Sequence, residues 1–318
     1  MPNKKLLLAL VAGACCMLAQ AQDTKVAVGI SGWTGFAPLT LAKEAGIFKK
    51  LGLDVSIKKI PQKDRHLAIA SGDVQCAATT VETWLVWNAA GVATTQIFQL
   101  DKSYGADGMV VKPGIARIAD LKGKTVAASA PGTAPYFTLA WMLKQNGLSV
   151  KDVKVVNLEP QAAANAFIAG NADIDAGMTY EPYLSGVRAK PEAGKIIATT
   201  LDYPVVMDTF GCTPKFLADN PKAAQALADG YFEALALIKA DPKKSYEIMG
   251  ADVKQSGEAF EKSAGFLRWQ DKAANQKFFA EEHLRFSKEA AVLLMELGII
   301  KTMPDLAKLA DTRFIVSK

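Results

Sequence analysis

Four carboxylates and five aromatic side chains fall where a strand-like run ends or where two such runs are joined: Glu82, Asp107, Glu181 and Asp208, with Trp33, Trp84, Tyr136, Tyr180 and Phe210. Carboxylates beside aromatic faces suit an ammonium or amidinium group, through ion pairing and cation–π attraction. Thr34, Thr80 and Thr133 add hydroxyls at expected helix starts, and Gly35 and Gly132 let the backbone come close to a ligand. The helix N-termini themselves favour an anionic group. The combination points to a small zwitterion or an amine-bearing compound. Each residue taken alone is equally compatible with a solvated acid, a cap or a turn. Their recurrence at matching places in two halves of the chain is what indicates a shared cleft.

Catalytic machinery is scarce. The two histidines are His66, on a polar helix face, and His283, in the sequence Glu281-Glu282-His283. Neither has a metal-ligand partner at i+4 or a cysteine or serine motif beside it. There is no Gly-x-Ser-x-Gly elbow and no phosphate loop ending in Gly-Lys-Ser/Thr. Glu181 and Asp208 are an acid and base in principle, but nothing in the sequence sets them against a reacting group. A binding protein is expected, not an enzyme, with no cofactor and no metal.

The elements that must position these residues alternate regularly. Residues 25–30 read as a strand, 31–35 as a turn, 37–50 as helix, 53–60 as strand, 62–70 as helix and 74–79 as strand. The order recurs about 100 residues later, with strands at 125–129, 153–158 and 173–179 and helices at 134–145 and 161–169. Local details agree. Ala37-Pro38 matches Ala134-Pro135 at the helix starts, Gly52-Leu53 matches Gly147-Leu148 at the helix ends, and 73–79 matches 173–179. Alternation of this kind predicts mainly parallel sheets covered by helices, in two similar lobes. A further strand is expected at 205–212, and the chain beyond Pro221 reads as helical, packing on the first lobe. Crossings near 101–112 and 199–212 would form a hinge, and ligands bind beyond the carboxyl ends of such strands.

The chain has 318 residues, half of them hydrophobic, with 37 Lys and Arg against 32 Asp and Glu. That is enough to bury a real core, and the small basic excess does not indicate nucleic-acid binding. Lys4 and Lys5 precede an apolar run over 6–18 that ends in Ala19-Gln20-Ala21, which reads as a secretory signal cleaved after Ala21. The run is short of the roughly 20 apolar residues that span a bilayer. Acylation at Cys15 is an alternative, although Ala12-Gly13-Ala14 lacks the usual larger aliphatic residue. Removing 21 residues, two of them lysine and none acidic, leaves 297 and lowers the formal charge from +5 to +3. Cys76 and Cys212 then remain in a compartment that permits disulfides, each in an apolar strand-like run. Buried thiols are the favoured reading over a disulfide.

The chain resembles the periplasmic solute-binding proteins of ABC importers in the nitrate, sulfonate, taurine and thiamine-precursor group. The resemblance is carried by Gly35-Phe36-Ala37-Pro38-Leu39, Ala42-Lys43-Glu44-Ala45-Gly46-Ile47-Phe48, Gly52-Leu53-Asp54-Val55, Ala70-Ser71-Gly72-Asp73-Val74-Gln75, Asp120-Leu121-Lys122-Gly123-Lys124, Gly170-Asn171-Ala172-Asp173, Thr179-Tyr180-Glu181-Pro182-Tyr183-Leu184 and Phe216-Leu217-Ala218-Asp219-Asn220-Pro221. It implies an α/β, two-lobed periplasmic-binding-protein fold of type II, with lobe 1 at 22–103 and 208–318 and lobe 2 at 104–207. It also implies a periplasmic monomer that closes over a small-molecule solute and docks on a membrane permease with its ATPase. The pocket would draw on Trp33, Thr34, Thr80, Glu82, Asp107, Thr133, Tyr136, Tyr180, Glu181 and Asp208. Val206-Met207-Asp208-Thr209 resembles the strand whose Asp holds the amine in taurine binders, which favours a taurine-like zwitterion. Gly105-Ala106-Asp107-Gly108 and Thr179-Tyr180-Glu181-Pro182 look more like urea-carboxylase-associated amine or amide transporters, which leaves urea-, guanidine- and amine-type solutes open. A sensing module for a membrane receptor is a further alternative. An enzyme like the thiamine-precursor synthases of related fold would need a His and Cys cluster that this sequence lacks.

Overall fold

The computed structural model describes residues 23–316; the leader read at 1–21, with Cys15, lies outside them. Eleven strands form two sheets. They are β1 (Thr24–Ile30), β2 (Leu53–Lys59), β3 (Cys76–Thr80), β4 (Thr95–Ser103), β5 (Asp107–Val111), β6 (Thr125–Ala128), β7 (Lys154–Asn157), β8 (Ala176–Tyr180), β9 (Lys195–Thr199), β10 (Met207–Cys212) and β11 (Leu267–Trp269). One sheet has the order β11-β4-β10-β3-β1-β2 and the other β7-β6-β8-β5-β9. In the first, β1 runs parallel to β2 and β3, and β10 is antiparallel to β3 and β4. The second repeats the scheme, with β6 parallel to β7 and β8 and with β5 antiparallel to β8 and β9.

Both sheets are therefore mixed, where the alternation predicts mainly parallel ones, and their central strands are buried on both faces. β3 and β10 are buried along their whole lengths, as strands covered by helices on both sides must be. The chain passes from the first sheet to the second between β4 and β5 and returns between β9 and β10. This is the two-lobed periplasmic-binding-protein fold.

Three features of the structure go beyond the sequence reading or correct it. The favoured reading of two free thiols is wrong: Cys76 and Cys212 form a disulfide. Each strand looked self-sufficient in the sequence, but the antiparallel register of β3 and β10 puts the two residues directly opposite each other. β4 is a fully formed inner strand where the sequence reading has no element, and only its last residues, 101–103, fall in the expected crossing. The helix His283–Glu296 belongs to a core that includes Val81 and Leu85 of the first lobe and Phe137 and Ala140 of the second. Phe286 meets the ring edge of Phe137 at 6.3 Å between centroids. This C-terminal helix thus packs against both lobes, whereas Pro221–Ala240 and Pro242–Asp252 pack against the first-lobe helix Ala37–Glu44.

Candidate functional site

The carboxyl ends of β1, β3 and β8, together with the first residues of β5 and β10, converge on one narrow cleft between the lobes. The cleft is lined by Trp33, Thr80, Asp107, Tyr180 and Asp208, and also by Ser31, Phe36, Gln62, Arg65, Ala134 and Val206. Its free volume is about 20 Å³, room for about one water molecule, so the lobes stand closed on each other.

The two lobes place their key acids by the same device. In each, the antiparallel strand that enters from the crossover brings an aspartate opposite the last residue of the third parallel strand. Asp208 on β10 is paired with Thr80 on β3, and Asp107 on β5 with Tyr180 on β8. Both aspartates are buried, at 3% and 4% exposure. Glu82, in the first turn of the helix Val81–Ala89, is 1% exposed, and its Oε1 accepts the Thr80 hydroxyl. Its Oε2 and the Oδ2 of Asp107 have no hydrogen-bond partner. Among the described residues, no donor reaches the Asp208 carboxylate. Unpaired buried charge is costly, and such groups take up protons instead. Burial raises Glu82 to about 8, with Asp107 adding repulsion, and raises Asp107 to about 7, with Glu181 adding to it. Asp208 is also pushed well up, by burial first and then by Asp101, Asp107 and Glu82.

Aromatic walls complete the cleft. The Trp33 and Tyr180 rings meet edge to face across the lobes, 5.3 Å between centroids. The Trp33 indole N–H donates to both oxygens of Asp101, at 3.1 and 3.3 Å, which fixes the ring. Gly35 makes room for this contact, since a Cβ there would stand 2.2 Å from Asp101 Oδ2 and 2.2 Å from Trp33 Nε1. Arg65 is the cationic side chain in the lining. Its guanidinium is spent on the carbonyl oxygens of Ile60 and Ala78, and burial lowers it to about 10. Gln62 ties the lobes together. Its amide donates to the hydroxyls of Thr79, Thr80 and Thr83, and its Oε1 accepts the Ala134 N–H at the start of the lobe 2 helix Ala134–Gln145.

Five of the ten residues expected in the pocket therefore line the cleft. The other five lie outside its lining. Glu82 stands behind Thr80. Thr34 is fully buried, its hydroxyl without a partner and its N–H donating to the Glu181 carbonyl across the lobes. Thr133 bonds the Ala130 carbonyl within its own turn, and Tyr136 is half-buried on the next helix. Glu181 is paired with Arg188 and accepts the Ser185 N–H. Asp101, Arg65 and Gln62 were missed. Asp101 falls at the first residue of the expected crossing and lies on β4, and Arg65 and Gln62 lie on the expected helix 62–70, whose His66 face reads as polar. A buried arginine is invisible to periodicity unless its neighbours are known. Gly29 makes room for it, since an added Cβ there would come within 3.1 Å of Arg65 Cγ.

The fold is the two-lobed periplasmic-binding-protein fold, with a buried acidic cleft between its lobes. The chain belongs to the NMT1/THI5-like family, whose model matches residues 33–245. It is 30% identical over 236 residues to the taurine-binding periplasmic protein of Escherichia coli strain K12, covering 70% of this chain and 69% of that one. It is 31% identical over 171 residues to a putative aliphatic sulfonates-binding protein of Bacillus subtilis strain 168, covering 52% of this chain and 50% of that one. Among solved structures, the alkanesulfonate-binding protein SsuA of Xanthomonas axonopodis pv. citri superposes with a TM-score of 0.77 at 18% identity, covering 92% of this chain and 99% of that chain. The periplasmic nitrate-binding protein NrtA of Synechocystis PCC 6803 gives 0.73 at 18%, covering 92% and 87%. These two likenesses establish the fold alone.

Proposed function

We propose that this protein is the periplasmic binding component of an ABC importer and that it captures a small nitrogen-bearing solute by its cationic end. Lobe 1 (22–103 and 208–318) and lobe 2 (104–207) close over the solute by rotation at the two crossovers, and the closed form docks on the membrane permease and its ATPase. The observation that carries the reading is the charge of the cleft: Asp208 and Asp107 face it from opposite lobes, Glu82 and Asp101 stand behind them, and the lining arginine is committed to backbone carbonyls. A compact ammonium, amidinium or guanidinium group would pair with Asp208 and Asp107 against the rings of Trp33 and Tyr180. The wrong solute would leave these carboxylates buried and unpaired, which gives selectivity without a large contact area.

A taurine-like zwitterion is the second reading, favoured by the E. coli relative. Its sulfonate would need free donors, and two obvious backbone donors are already taken: Ala134 N–H by Gln62 and Thr34 N–H by the Glu181 carbonyl. A thermal-shift screen with methylammonium, guanidinium at low millimolar concentration, urea, taurine, ethanesulfonate and nitrate separates the readings, because a ligand specific for the folded state raises Tm. The cations should raise it and ethanesulfonate and nitrate should not; a shift with the anions alone removes the proposal.

A further inference from the structure

Four carboxylates from four different elements gather around the cleft, and little positive charge faces them. Asp208 is the second residue of β10 and Asp107 the first of β5, both in the lining. Glu82 begins the helix behind Thr80, and Asp101 on β4 holds the Trp33 indole. From the packed neighbours, Arg65 is the cation facing Asp208, and Arg188 neutralises Glu181 beyond Asp107. The Tyr231 hydroxyl on the helix Pro221–Ala240 points to the Leu100 carbonyl, and Tyr180 and Tyr183 bring neutral phenols. Glu159 lies near Arg65 and adds a further acid. With every acid of the inner group ionised, four negative charges would share a nearly dry cleft with one guanidinium.

Resting on the reading that the solute carries a cation, we propose that the cleft takes up that cation in exchange for protons, which leave Asp107, Asp208 and Glu82 for bulk water as the cation enters. Two orphan oxygens give the geometric ground. Glu82 Oε2 and Asp107 Oδ2 are buried without donors, so a proton or a cation must supply the missing positive charge. The positions of these groups on the pH scale agree, with Asp107 at about 7 and Glu82 at about 8, both raised chiefly by burial. A cation between the lobes would draw them back toward the ordinary carboxylate range and expel protons at neutral pH. Capture would therefore weaken in acid, and the closed cleft would be tolerated at low pH without a cation.

The test is calorimetric titration of the whole chain with guanidinium chloride and with methylammonium chloride. Titrations are run at pH 6.5 in buffers of different ionisation enthalpy and then across pH 5.5 to 8.5. Release of about one proton per cation, drawn from the three acids together because one positive charge replaces one proton, is expected, with affinity rising by up to about tenfold per pH unit and levelling above about pH 8. Glu82→Gln should lower the proton count and flatten the rise of affinity with pH, a change that mere loss of packing would not produce. Binding that releases no protons, or an affinity flat with pH, overturns proton exchange and leaves the proposed function standing. Failure of both cations to bind at any pH overturns the function and this inference together.

Discussion

The two lobes carry a glutamate just past the end of their third parallel strand, and they treat it differently. In lobe 2, Glu181 is fully buried but satisfied, paired with Arg188 and accepting the Ser185 N–H. In lobe 1, Glu82 is equally buried with one hydroxyl donor, an orphan oxygen and no cation. A buried charge with its partners in place is a structural element, whereas one without them awaits a charge from outside. The contrast teaches that the repeat supplies the scaffold twice, but places two of the three unpaired acids, Glu82 and Asp208, at the β3 and β10 side of the cleft, with Asp107 facing them from lobe 2. The disulfide Cys76–Cys212 staples the β3 and β10 pair at its far end.

Breaking the unpaired side should affect binding most. Asp208→Ala should weaken affinity for an amine-bearing or guanidinium solute by more than tenfold, and about 30-fold or more if the group is fully desolvated in the complex. Calorimetry checks this, and unchanged affinity would remove Asp208 from the site. Gly35→Ala should act indirectly: the added Cβ collides with the Trp33–Asp101 contact, so affinity should fall about tenfold as the ring loses its position, with quenching of tryptophan fluorescence altered.

Breaking the paired side should affect folding instead. Glu181→Gln should cost about 2 kcal/mol, less than the 3–5 kcal/mol of a fully buried pair because Arg188 remains a quarter exposed. Glu82→Gln should hold or raise stability at pH 8.5, since it removes a buried charge. Denaturant unfolding of the two variants side by side is the check, and equal losses would erase the contrast between the lobes.

The last prediction concerns pH. Glu82 and Asp107 bind protons more tightly folded than unfolded, so the native state holds more protons between about pH 4 and 8. Their contribution to stability is therefore full below the unfolded values and is lost as pH rises through about 7 to 8. Tm without solute should fall over that range, and guanidinium or methylammonium should reduce the fall.

Much of the scaffold was legible because it is written twice. The paired Ala-Pro starts, the Gly-Leu ends and the matching 73–79 and 173–179 runs exposed the repeat, and strand ends then pointed to Trp33, Thr80, Asp107, Tyr180 and Asp208. What stayed hidden depends on which strands become neighbours. The disulfide needs the β3–β10 register, and Asp101 needs β4 to sit beside β10. Thr133 and Glu181 carried the right chemistry at the right positions. Their own turn and a nearby arginine satisfy them, and sequence spacing cannot distinguish a satisfied polar group from a waiting one.

The most direct test of the central claim compares charge types at one site. The full chain is titrated calorimetrically at pH 8 with guanidinium, methylammonium, taurine and ethanesulfonate, alongside Asp208→Ala. The account predicts saturable one-to-one binding of a cation that weakens more than tenfold in the variant, with ethanesulfonate silent. Ethanesulfonate binding more tightly than either cation, with affinity unaffected by the variant, would contradict it.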